Sequence, residues 1–80
     1  MQNIDSRQLR AARSLLGWSQ QQLADSAKVG LSTIQFFETN KRVPSRNSLY
    51  ALRSALEVGG VEFIPAQTGR GVGVRLREDK

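Results

Sequence analysis

Ser19-Gln20-Gln21-Gln22-Leu23-Ala24-Asp25-Ser26-Ala27-Lys28-Val29-Gly30-Leu31-Ser32-Thr33-Ile34-Gln35-Phe36-Phe37-Glu38 reads as two short helices separated by a break. Ser19 is an N-cap residue type, and Leu23 and Ala27 stand four apart on one face of the helix that follows. Lys28 to Gly30 interrupts that helix. A second one is expected from about Leu31, burying Ile34 and Phe37 until Thr39 and Asn40 loosen the chain after about two turns. Leu23, Ala27, Val29, Ile34 and Phe37 are expected to face inward. Leu31, Ser32, Gln35 and Phe36 are left on the outer side, with Thr33 near its edge.

Upstream, Met1 to Asp5 reads as a short arm, and Ser6 as the cap of a helix carrying Leu9, Ala12 and Leu16 at helical spacing and ending at Gly17. Downstream, Lys41 to Pro44 is a basic connection, because the residue before a proline resists helical angles. Ser45 restarts the helix. Leu49, Leu52 and Leu56, widened by Ala55, form its apolar stripe, and Gly59-Gly60 stops it. The tail then changes period: Val61 and Phe63, and after Pro65 to Gly71 also Val72, Val74 and Leu76, alternate with other residues as strands do. The expected fold is mainly α, a four- to five-helix domain with a C-terminal β-hairpin. Residues 1–58 form the helical domain, and 59–80 a hairpin extension suited to joining two copies. An isolated hairpin is marginal in water and must pack on the helices or pair with another chain.

Composition narrows the function classes. Eighty residues with 39% hydrophobic content make one domain with one core. No run approaches the roughly 18 apolar residues of a membrane span, and no secretory signal is legible at the N-terminus, so a cytoplasmic location is expected. Cysteine and histidine are both absent. That removes disulfides, thiolate nucleophiles, the usual zinc sites and the commonest general base, so neither an enzyme, a metal site nor a cofactor is expected. Net charge is +5, and nine of the twelve cationic residues are arginine, the side chain best shaped for bidentate phosphate contacts. Gly69-Arg70-Gly71-Val72-Gly73 fails as a phosphate loop, because an extended stretch and not a helix follows it.

The order Ser19-Gln20, Leu23-Ala24, Val29, Ser32-Thr33-Ile34 and Glu38 resembles the phage-repressor-like (Xre-type) helix-turn-helix family. Arg13, Gly17-Trp18 and Arg42-Val43-Pro44-Ser45 extend the likeness over roughly residues 6 to 57. The resemblance implies a DNA-binding transcriptional regulator whose recognition helix, residues 31–39, enters the major groove of double-stranded DNA. It implies base contacts from Leu31, Ser32 and Phe36 with Gln35 beside them, a backbone contact from Gln20, and a structural ion pair between Arg13 and Glu38.

Leu31 and Phe36 depart from the polar residues usual at reading positions. Neither can make bidentate hydrogen bonds to a purine, though either can touch a thymine methyl, whereas Ser32 and Gln35 can donate and accept. Specificity would then lean partly on DNA shape and half-site spacing. Gln20 also stands where the start of a helix attracts phosphate. Lys41, Arg42 and Arg46 lie around the loop leaving the recognition helix, placed to neutralise phosphates. Trp18 and Phe37 read as core. The expected activity is repression by a homodimer, with residues 61–77 as a candidate contact. The other reading is a protein-interaction module on the same scaffold, an antitoxin or anti-repressor that sets Leu31 and Phe36 against a protein.

Overall fold

A computed structural model describes residues 4–78. Four helices, α1 (Ser6–Leu16), α2 (Gln20–Ala27), α3 (Leu31–Glu38) and α4 (Arg46–Gly59), precede an antiparallel pair, β1 (Val61–Ile64) and β2 (Gly73–Leu76). Among the described residues the helices number four, followed by the expected hairpin. Leu9, Leu23, Ile34, Leu52, Leu56 and Val61 are fully buried, so each helix and the first strand supply the same core.

The start of α1 differs from the sequence reading. Asp5, not Ser6, is the N-cap: its carboxylate accepts from Gln8 N–H at 2.9 Å, and its own N–H donates to Gln8 Oε1 at 3.0 Å. Ser6 fails as a cap because its hydroxyl is drawn inward, donating to Asn40 Oδ1 at 2.8 Å. Of the expected arm, Met1 to Asn3 lie outside the described residues, while Ile4 belongs to the core at 4% exposure. Isoleucine there gains more from burial than an arm gains from freedom. Partial burial alone would raise the Asp5 pKa. Hydrogen bonds from Arg7 and from the Gln8 N–H outweigh it and hold the carboxyl below its ordinary 3.8.

The other helix ends follow the sequence signals. Gly17 and Gly60 adopt left-handed backbone at φ 70° and 119°, closing α1 and α4, and the Ser45 hydroxyl accepts from the Ser48 N–H. Gly59 is the last residue of α4, with Gly60 as its C-cap. It is there for space: a Cβ would stand 2.9 Å from the Trp18 ring and 3.0 Å from Leu16. Trp18 is half-buried and packs on the core as expected.

The hairpin pairs Val61 with Leu76 and Phe63 with Val74, and it packs on α1 and α4. Gln8 secures it, its side-chain amide donating to the carbonyls of Gly73 at 3.0 Å and Ile64 at 3.4 Å. One buried glutamine therefore closes the α1 cap and clamps the hairpin. At the hairpin tip Gln67 and Arg70 exchange two backbone hydrogen bonds around Gly69, whose φ is 76°.

Two outcomes are expected. Replacing a helical glycine with alanine ordinarily gains up to about 1 kcal/mol. Gly59→Ala should instead lower the urea midpoint and shift the emission of Trp18, the chain's single tryptophan. The stability contributed by the ionised Asp5 is present above the ordinary carboxylate pKa and is lost as pH falls through the lowered folded value. Asp5→Asn, which keeps a capping oxygen, should flatten that part of the acid limb in denaturation curves taken from pH 6 to pH 2.

Candidate nucleic-acid interface

The bend between α2 and α3 falls within the expected break at Lys28 to Gly30. Lys28, and not Gly30, takes the left-handed conformation, at φ 59°, with its N–H donating to the Ala24 carbonyl. The Val29 N–H reaches the same carbonyl at 3.1 Å, and Gly30 then stands as N-cap of α3 in extended backbone. Two short helices are thereby set across one another, with Leu23 and Ala24 of the first and Ile34 and Phe37 of the second buried.

Glu38, the last residue of α3, ties the three leading helices together. Its carboxylate accepts from Arg13 Nε at 2.7 Å, from Arg13 Nη2 at 2.9 Å and from Gln20 Nε2 at 2.9 Å. Arg13 Nη1 donates to the Trp18 carbonyl at 2.9 Å, and Arg10 Nη1 donates to the Glu38 carbonyl. The Glu38 side chain is only 6% exposed, so the full set of donors is what makes a charge tolerable there. Arg13 and Glu38 stand in the ion-pair geometry that the resemblance implied. Arg10 and Gln20 were not foreseen as partners. Arg10 precedes Arg13 by three residues on the same face of α1, a spacing that could have flagged it.

Gln20 stands at the helix start expected to meet phosphate, but its side chain turns inward to Glu38. What remains at that end of α2 is backbone. The Ser19 hydroxyl takes the Gln22 N–H, leaving the first N–H groups of the helix without an intrahelical acceptor. Leu31 also departs from expectation: instead of lying on the outer side it is half-buried and packs against the core, because a leucine in the first turn of a two-turn helix can reach the apolar interior. Ala27 and Val29 are partly buried against the core, as their inward placement required. On the outer face of α3, Ser32, Gln35 and Phe36 are exposed and Thr33 is half-buried.

The loop after α3 folds back over that helix. Lys41 and Arg42 both donate backbone N–H groups to the Phe36 carbonyl, at 2.8 and 3.3 Å, after Asn40 adopts φ 62°. Arg42 then lies over the Phe36 ring, its guanidinium carbon 5.4 Å from the ring centre. A notch lined by Ser32, Thr33, Phe36, Arg42, Ser45 and Ser48 joins the α3 face to the start of α4, where Arg46 is exposed. Among the described residues, ion pairs join Arg7 to Asp5, Arg13 to Glu38, Arg53 to Glu57 and Arg75 to Glu62. Lys41, Arg42 and Arg46 are in none of them.

A helix-turn-helix family model matches residues 9–63, well over half of the chain. The chain belongs to the Xre-like helix-turn-helix family. No curated protein matches it. This helix-turn-helix protein is accordingly a DNA-binding regulator, of a family that is not one of enzymes. Its helix-turn-helix motif is the α2–α3 pair. Among the described residues no helix is long and apolar enough to cross a membrane, and no acidic cluster could hold a metal ion.

The Glu38 carboxylate gives the interface a measurable support. Glu38→Ala strands Arg13 half-buried and should cost about 3–5 kcal/mol in chemical denaturation. Arg13→Met combined with Glu38→Leu should recover a large part of that loss. Additive losses in the double variant would show that the pair is not coupled.

Proposed function

We propose that this helix-turn-helix protein is a cytoplasmic transcriptional repressor that occupies a two-fold-symmetric operator as a homodimer, with one α3 in each of two successive major grooves about 34 Å apart. Residues 1–58 read the DNA, and 59–80 contribute the contact between copies. Ser32 and Gln35 hydrogen-bond base edges. Phe36, and the part of Leu31 that remains accessible, lie against thymine methyls, with Thr33 at the margin. Lys41, Arg42 and Arg46 neutralise phosphates, and Gln20 contributes its backbone N–H at the α2 start, since its side chain is occupied by Glu38. Repression follows from occupancy: a protein seated over a promoter excludes polymerase without needing a second activity.

The observation that carries this reading is the exposed Ser32, Gln35 and Phe36 face bordered by three cations that no carboxylate of the described chain neutralises. It also separates this reading from an antitoxin or anti-repressor that would dock a protein on Leu31 and Phe36. Leu31 is partly withdrawn into the core and Arg42 lies over Phe36, so the face is cationic and polar and not an apolar patch.

Titration of the chain against its own promoter region and against unrelated DNA, at two salt concentrations, tests the proposal. Salt-sensitive binding with preference for the promoter is expected, and its absence would reject the reading. Ser32→Ala with Gln35→Ala should weaken promoter binding more than unrelated binding. Arg42→Ala should weaken both alike and lower the salt slope by about one.

A further inference from the structure

The hairpin has one covered edge and one open edge, and the ladder identifies which groups the open edge presents. The Arg77 N–H donates to the Gly60 carbonyl at 2.8 Å, in line with the pairing of Val61 with Leu76 through Ile64 with Gly73. Antiparallel ladders alternate bonded and non-bonded pairs. Gly60 with Arg77, Glu62 with Arg75 and Ile64 with Gly73 are therefore the bonded pairs. The backbone N–H and C=O groups of Val74 and Leu76 point the other way, out of β2 and away from β1. No described residue takes them. The opposite edge belongs to β1, whose outward groups sit on Val61 and Phe63, both buried against the helices.

Apolar residues border the open edge: Leu76 is 49% exposed and Val72 37%, and Val72 and Val74 line a groove together with Arg7, Gln8 and Ala11 of α1. Exposed strand edges of this kind invite an added strand, and proteins commonly restrict the choice with charges. Here those charges are Arg75 and Arg77, both exposed.

Resting on the homodimer reading above, we propose that β2 pairs antiparallel with β2 of a second copy, about a two-fold axis at Val74, making a four-stranded sheet across the dimer. Charge and apolar pairing together select the register. An axis at Arg75 would oppose Arg75 to its own copy, and an axis at Leu76 would oppose Arg75 to the partner's Arg77 twice over. Like charges directly across a pair are destabilising. The axis at Val74 sets Gly73 opposite the partner's Arg75, Gly71 opposite the partner's Arg77, and Val72 opposite the partner's Leu76. Every arginine then faces a glycine, every exposed apolar residue of the strand faces another, and the outward N–H and C=O groups of Val74 meet those of its copy. The two arginines thus exclude the axes at Arg75 and Leu76, and an axis at Gly73, which would set Leu76 opposite the partner's Arg70, loses the apolar pairing of Val72 with Leu76.

The chain contains no cysteine, so single-cysteine variants report cleanly. With a short bis-methanethiosulfonate reagent, Val74→Cys should cross-link into dimers in high yield, because across a pair the Cβ atoms stand about 5 Å apart. Leu76→Cys should cross-link at least tenfold less, since in this register the two copies of residue 76 are offset by about 13 Å along the strands. Preferential linking at residue 76 overturns the register. Val58→Cys, on the exposed outer face of α4, separates the remaining outcomes. Dimers that link at 58 and not at 74 reject the strand pairing while sparing the homodimer. A monomer by sedimentation at micromolar concentration rejects both. Val74→Pro provides a second reading: it removes an outward N–H and no bond of the β1–β2 ladder, so helical circular dichroism should persist while the dimer dissociation constant rises at least tenfold. An unchanged dissociation constant would reject the proposal.

Discussion

A single buried carboxylate holds the three leading helices of this protein in shape. Glu38 ends α3, and its side chain receives Arg13 from α1 and Gln20 from α2 while its carbonyl receives Arg10. Hydrophobic burial is non-directional: Leu23, Ile34 and Phe37 would be removed from water at many helix crossing angles. Three directed bonds to one carboxylate are satisfied at few. A low-dielectric site makes an unpaired charge costly, and so converts a polar contact into a constraint on geometry. The angle at which α3 projects from the body is set there.

That constraint accounts for the arrangement of the rest of the interface. With Gln20 committed to Glu38, the α2 start offers backbone and not a side chain. With α3 fixed at its end, the following loop can be measured against it: Lys41 and Arg42 bond back to the Phe36 carbonyl, and Arg42 covers the Phe36 ring. An exposed phenylalanine on the outer face of α3 thereby acquires a role in holding an arginine beside it. At the far side of α1, Gln8 plays a comparable part, completing the Asp5 cap and bonding to both strands of the hairpin. Polar side chains with two jobs link local capping to tertiary docking, which suits a domain too small to specify its shape by core packing alone.

Most of the secondary structure was legible in the residues. Ser19 and Ser45 as caps, Gly17 and Gly60 as terminators, and the change to alternation at Val61 are local signals that act over a few residues, and each acts as its chemistry requires. The misreadings are equally local in origin. Ser6 and Asp5 are both good caps by type, and only the neighbouring Asn40, 34 positions on, draws Ser6 inward. Lys28 to Gly30 is legible as the break, but no local signal singles out Lys28 as the residue that takes the left-handed conformation.

By itself the sequence determined the order and kind of the elements, the recognition motif, and the charge that suits the chain to DNA, because helix periodicity, capping and net charge depend on neighbours along the chain. Tertiary structure alone decided which way Gln20 and Leu31 turn, that Arg10 joins Arg13 at Glu38, that Arg42 lies over Phe36, and that β2, and not β1, carries the open edge. Each of these depends on groups that are distant in sequence and meet only once the helices have packed, and on whether burial or water is the better partner for a side chain at that place.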